Sequence, residues 1–428
     1  MRKSKTIMKK SKTILRSISA IALGLTVFAS CDSDDDTNGV IDEDPVVEPI
    51  VLDCSTITEA TILENRGSGV DYIWPCKIMV EAPLTIEPGV TIAFEQEGGM
   101  EIKDYGDRTG SLTAVGTADK PITFTGTNKI AGAWNRIYMN SSDLKNKLHH
   151  VVIEYAGGTD GSSSALTVIE NSKVEIKHTV VRNSKGTGVE VHIGGNIEGW
   201  EANTLTKNEG YPLQIAARKI KFLDGMESSY TDNGTDQIYV NSESIYNRGR
   251  IMDEVNGPKH TWLDPGVPFF IDEDIFVRKD VDNEKPGHLQ IMEGAEIIFG
   301  EEYGLQVKHE NTIIEVLGTP ANPVTFAGQY GAGSWKGINI QGSNSSLNKI
   351  ENATISDAGQ SVWNWFNQTG GISLGDHTPK TISLAMSNVL ITNSAGCGIV
   401  ERGIKDDSSI SYDNVTFSNN SGNDYCEE

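Results

Sequence analysis

Beyond residue 50 the chain alternates apolar and polar positions in short runs: Ile122 with Phe124, Val174 with Ile176, Leu213 with Ile215, Ile338 with Ile340, Ile382 with Leu384. A period of two marks β-strands with one buried face. A 3.6-residue period is nearly absent, and only 56–64 predicts a short helix, a polar cap on the first layer. The runs are punctuated at a regular interval. Asn183, Asn208 and Asn233 lie 25 residues apart, each after an apolar strand end and before small residues and another apolar run. The phrase returns around Asn393 and around Asn419 and Asn420. Asparagine tolerates a left-handed backbone, which suits a tight bend between strands. A bend recurring every 20–50 residues is the mark of a solenoid.

A longer repeat overlies the short one. LTIEPGVTIAF at 84–94 is echoed by LQIMEGAEIIF at 289–299, and GTADKPITFTG at 116–126 by GTPANPVTFAG at 318–328. GAWNRI at 132–137 matches GSWKGI at 333–338, and IEYAG at 153–157 matches ISDAG at 355–359. The offset is 205 at Phe94/Phe299, 202 at Phe124/Phe326, 201 at Trp134/Trp335 and 210 at Asn183/Asn393. The expected architecture is all-β: a right-handed parallel β-helix, three short strands and about 22–27 residues per coil, in two homologous halves at 50–255 and 256–428. The phrases at 84–90, 116–124 and around Trp134 and Trp335 resemble the right-handed parallel β-helix lipoproteins of the Bacteroidota. That resemblance covers the mature chain. It implies fold and location and leaves activity open.

Residues 1–30 carry seven basic residues and no acid, with an apolar run at 18–28 too short to span a bilayer. This predicts a secretory signal. Ala29 and Ser30 lead into Cys31, which resembles a bacterial lipobox whose cysteine is lipidated. Asp32, Asp34, Asp35 and Asp36 follow, resembling the export signal of surface lipoproteins. The 31–49 stretch is expected to be a disordered acidic tether. The implied location is the outer membrane, lipid-anchored and facing outward. The chain's net charge is −23; without 1–30 it is −30, from 36 − 7 = 29 basic residues against 59 acidic. Such a surface repels nucleic acid, and it disfavours a polyanionic ligand unless a local basic patch intervenes.

The other four cysteines form an early pair and a late pair, which predicts disulfides Cys54–Cys76 and Cys397–Cys426. No Cys-x-x-Cys, Ser-His-Asp set, P-loop or Rossmann fingerprint stands out, and neither metal nor cofactor is expected. Asp104 with Asp107, or Asp232 with Asp236, are the loop acids that calcium would use. The string Arg402-Gly403-Ile404-Lys405-Asp406-Asp407 is nearest to a polygalacturonase motif, but Gly403 interrupts it and a charged turn is the reading adopted. Lys173, Lys177, His178 and Arg182 split between opposite strand faces and read as solvated surface. Adjacent acids such as Asp272/Glu273/Asp274, Glu301/Glu302 and Asp406/Asp407 follow from composition.

The candidate binding segment is 360–368, where Trp363 and Trp365 share a parity and Phe366, Asn364, Asn367 and Gln368 flank them. Aromatic faces beside amides suit sugar rings, though shielding of an apolar flank is the competing role. Trp134 and Trp335, at matching repeat positions, are expected to be scaffold. The expected function is non-catalytic binding of an extracellular glycan or a surface partner. Two alternatives stand beside it: a polysaccharide lyase or glycoside hydrolase, and a structural or adhesive surface rod.

Overall fold

The computed structural model describes residues 47–67, 69–158, 164–241, 249–252, 259–279 and 285–428. The compact unit is Val47–Glu428. It is nearly all β, and its strands form sheets of seven, seventeen, six and seven strands. Pairing is parallel throughout the named ladders except where 104–105 meets 108–109. Successive strands rarely pair with each other; the chain passes through other sheets and returns to stack on its own earlier strand. Tyr72, Ile92, Phe124, Ile153, Val181 and Leu205 stand in one such column. The return interval runs from 92 − 72 = 20 residues to 137 − 100 = 37, wider than the period in the sequence suggested.

Alternation explains what lies inside. In Lys173–Lys177, Val174 and Ile176 are buried while the lysines and Glu175 are half-exposed. The columns stack large rings: Phe94 lies between Trp74 (6.0 Å) and Phe124 (6.5 Å), with Trp134 against it at 4.4 Å. Phe299 and Trp335 repeat this contact at 4.7 Å and 4°. Both indoles donate to a main-chain carbonyl, Trp134 to Glu154 (2.8 Å) and Trp335 to Ser356 (2.7 Å). The scaffold expectation for these tryptophans therefore holds: each is buried, paired and stacked.

Left-handed residues mark the corners. One column holds His150, His178 and Ala202 and another, in the later strands, holds Asn352, Asn388 and Asn414, all with φ between 48° and 54°. The last three link side chain to side chain, Asn388 donating to Asn352 (3.1 Å) and Asn414 to Asn388 (2.8 Å). A further column runs Tyr155, Asn183, Lys207 and Asp232, and its repeat counterpart in the later strands is Asp357, Asn393 and Asn419. This corrects the asparagine spacing. Asn183 takes the bend itself, but Asn208 and Asn233 stand one position later, after Lys207 and Asp232. There they form a buried amide ladder: Asn208 Oδ1 accepts the Ser184 N–H (3.1 Å), while Asn208 Nδ2 donates to the Val181 carbonyl (3.2 Å) and Asn233 Oδ1 (3.0 Å). Asn420 repeats the role with the Ser394 N–H and the Ile391 carbonyl.

The repeated phrases are one strand out of phase. Phe124 sits in a seven-stranded sheet, whereas Phe326 sits in the seventeen-stranded one. The shift occurs where two 3-10 turns, Ala217–Phe222 and Gly225–Glu227, follow Leu213–Ile215. The column of Ile137, Leu166, Val189 and Leu213 then continues into Ile238, Phe269, Ile297 and Phe326. The helix expected at 56–64 is absent: Ile57 bridges to Val80, and Thr61–Leu63 is a strand paired with Leu84–Ile86, because the neighbouring strand supplies partners a short polar helix would lack. Both disulfides form as predicted, with Cα–Cα distances of 6.0 Å (Cys54–Cys76) and 6.2 Å (Cys397–Cys426).

Candidate functional site

One seven-stranded sheet includes Ile275–Val277, Leu305–Lys308, Ile338–Gln341, Gly370–Lys380 and Cys397–Ile404. Beyond the C-terminal ends of these strands lies a cleft of about 630 Å³. Its floor comes from register: Lys308 stands beside Gln341, and Lys380 beside Ile404. Between the pairs Gly375↔Arg402 and Lys380↔Ile404, residues 376–379 oppose Gly403 alone, a wide bulge that turns Asp376 and His377 out of the ladder. Gly403 has φ of 56°, and a Cβ there would run into the Asp376 carbonyl oxygen, so the bulge needs glycine at this position.

Asp376 is buried and accepts from the His377 amide (2.8 Å) and from His377 Nδ1 (2.7 Å). Burial pushes the Asp376 carboxyl up, but hydrogen bonds from His377 and the Gln341 side chain outweigh it and leave the pKa below the ordinary value. The exposed His377 ring lies 4.6 Å from Trp365, tilted 35°. Trp365 is 63% exposed and has φ of 74°, a costly conformation for a bulky residue. Arg402 holds it by donating to the Trp365 carbonyl, and Arg402 is itself paired with Glu428 at 2.9 Å. His309 Nδ1 accepts the Lys279 amide (3.3 Å), so its neutral ring carries the proton on Nε2. Burial, with Lys308, Arg278, Lys279 and Lys380 nearby, lowers the His309 pKa.

Four lysines line the cleft (Lys279, Lys308, Lys380 and Lys405) against two acids, Glu310 and Asp376. Lys308, Lys380 and Lys405 form no ion pair among the described residues. The basic group read from the sequence behaves differently. Arg182 binds Glu154 (2.7 Å) and Lys177 reaches Glu201 (3.3 Å), with His178 3.7 Å from the same carboxylate, so the Arg182 and Lys177 charges are answered within the scaffold.

The 360–368 segment is divided. Trp363 and Phe366 are buried against Cys397, Val400 and Cys426, and Lys336 Nζ sits 5.3 Å from the Trp363 ring centre. Only Trp365 presents its face. The shared parity of Trp363 and Trp365 did not place them on one side, because 361–369 forms turns and not a strand, so alternation does not apply. Asn364 is exposed, and the Asn367 and Gln368 amides donate to the Glu428 carboxylate. Cys31 lies outside the described residues, as do Asp34, Asp35 and Asp36. No helix among the described residues is long and apolar enough to cross a membrane. Asp104 accepts from Ser142 and Asp236 from the Asp232 and Asn233 amides, and no group of three or more potential ligands is placed to hold a metal among the described residues.

Comparison with known proteins finds no matching family model, curated protein or solved structure, so the geometry carries the functional reading by itself.

Sequence did hold a signal for this cleft. Register makes Ile153 equivalent to Ile355, Leu166 to Ile372 and Ile176 to Met386, at offsets of 355 − 153 = 202, 372 − 166 = 206 and 386 − 176 = 210. Two four-residue insertions therefore separate the repeated segments. The first is the loop bearing Trp365 and the second is the bulge 376–379, and they meet at the Trp365–His377 contact. A second groove of about 660 Å³ elsewhere is lined by Tyr211, Tyr239 and Tyr330 with Asp272 and Glu301. Tyr239 stacks on Tyr211 at 5.0 Å and donates to Asp272 at 2.6 Å.

Proposed function

We propose that this chain is a right-handed parallel β-helix of two homologous halves that binds an extracellular glycan, without catalysis, in the cleft beside Trp365. The phrase repeats and the parallel columns support the β-helix reading. Residues 1–30 read as its signal peptide, and Cys31 as the lipidated residue that anchors it to the outer membrane through an acidic tether. The observation that carries glycan binding is Trp365: an exposed ring, held in a strained conformation by Arg402 and set beside His377 at the mouth of a cleft. Aromatic faces of this kind pack on the C–H faces of sugars. A glycan array with the purified protein tests this. Trp365→Ala should abolish retention of the bound glycans while Tyr330→Ala leaves it intact. The opposite pattern moves the site to the tyrosine groove, and retention of a protein partner with no glycan bound would favour an adhesive rod.

The Asp376–His377 pair favours one second reading. A carboxylate that orients an imidazole is the arrangement of a general base, and a lyase needs such a base near cationic groups. New reducing ends or unsaturated-uronate absorbance from a polysaccharide panel, lost in His377→Ala, would decide for a lyase.

A further inference from the structure

The charge of this cleft runs against the charge of the molecule. The chain carries −23 overall, yet the lining holds four lysines and two acids. One of those acids, Asp376, is buried and engaged by His377. Elsewhere on the described surface basic groups are commonly matched: Lys77 with Glu101, Lys147 with Glu175, Lys336 with Asp274, Arg182 with Glu154. Lys308, Lys380 and Lys405 are left without such a partner although acids are the more abundant class. Like charges gathered in a concave site repel each other and raise the local potential, and the interaction is relieved when an anion enters.

Spacing adds to the argument. Lys279 follows Ile275–Val277, Lys308 ends the adjacent strand of the same sheet, Gln341 ends the next, Lys380 ends the one after that, and Lys405 follows Cys397–Ile404, the fifth in this order. Five layers at about 4.8 Å span about 19 Å, longer than one sugar ring. Cationic groups are thus offered at intervals along a line, with an aromatic face at one side. Lysine presents a compact charge on a flexible stem and suits anionic groups whose orientation varies along a chain.

We propose that the cleft takes an acidic oligosaccharide, with a sugar ring stacked on Trp365 and its carboxylates or sulfates met by Lys308, Lys380 and Lys405. This rests on the glycan reading above and names the class of glycan. Glu310, the acid on the rim, opposes the ligand's charge.

Calorimetry on the purified protein tests the assignment with three probes of matched length: a polyuronate oligosaccharide, a sulfated oligosaccharide and a neutral one. Either acidic probe, or both, should bind; the neutral probe should bind at least about tenfold more weakly; and affinity should fall as salt rises. The acidic probe that binds identifies which anion the site takes. The triple variant Lys308→Gln, Lys380→Gln, Lys405→Gln should lose at least about tenfold, and Glu310→Gln should tighten binding. These side chains make no ion pair in the fold, so an unchanged melting temperature is expected and separates charge loss from misfolding. If the neutral probe binds as well as the acidic ones, or the triple variant is unchanged, the acidic assignment is wrong while glycan binding stands. If no probe binds and the array is also empty, the glycan reading fails with it.

Discussion

Asn208 offers the sharpest test of how the layers are held together. Its side chain is 1% exposed, and replacing it with alanine removes three hydrogen bonds. The buried Ser184 N–H loses its acceptor. A buried orphan donor costs about 1–3 kcal/mol, and each of the other two bonds contributes about 1 kcal/mol net. Asn208→Ala should therefore cost about 3–5 kcal/mol. Because stacked layers contact only their neighbours, the loss should be local, and global melting is a poor probe of it. Hydrogen exchange read by mass spectrometry over 180–190 is the suitable assay. A loss of 3 kcal/mol corresponds to more than a hundredfold in the opening equilibrium at about 1.4 kcal/mol per decade. Asn208→Asp sharpens the test. It keeps an acceptor for Ser184 but sets a carboxylate against the Val181 carbonyl and Asn233 Oδ1, which raises its folded-state pKa. Its stability should be restored below the unfolded carboxylate value near 3.9 and lost as pH rises through the raised folded value. Protection of the Ser184 amide in Asn208→Ala within threefold of the parent would show that the amide ladder is not what holds these layers.

Reduction of Cys54–Cys76 and Cys397–Cys426, which span 22 and 29 residues, should cost about 3.5 kcal/mol each on the chain-entropy model; urea titration with and without reductant measures it. Because Trp363 packs on the second disulfide, its fluorescence should shift on reduction in the parent and in Cys54→Ser/Cys76→Ser, and not in Cys397→Ser/Cys426→Ser. His309 has a folded-state pKa below the unfolded value of about 6.5, so its contribution is present above that pH and is lost as pH falls through the folded value; His309→Gln should flatten this part of the stability profile, and an unchanged slope counts against the assignment. Gly403→Ala should cost about 2 kcal/mol or more from the left-handed backbone and the collision with Asp376, and should weaken glycan binding through the displaced bulge, checked by urea unfolding and calorimetry. Cys31→Ser should release soluble protein or leave it tethered by an uncleaved signal, and mass spectrometry that finds an unmodified Cys31 in the parent would end the lipid-anchor proposal.

Local pattern determined a good deal. Alternation at Val174 and Ile176 named the inward side of a strand because successive side chains must point to opposite faces. The repeated tryptophan phrases marked the Trp134 and Trp335 stacks because the same local packing needs the same residues. Both disulfides were legible because strands that neighbour each other in the parallel ladders are also near in sequence. Pattern failed where the partner, and not the residue, decides. The 25-residue spacing puts Asn208 in the bend although it belongs to the ladder, a difference set by register across 24 residues. Shared parity puts Trp363 and Trp365 on one face, but parity holds only in a strand. The lysines of the cleft lie between positions 279 and 405, with no spacing that joins them. They meet because parallel pairing returns the chain to the same edge at intervals of variable length, and the hydrogen bonds that fix this register form between residues far apart in sequence.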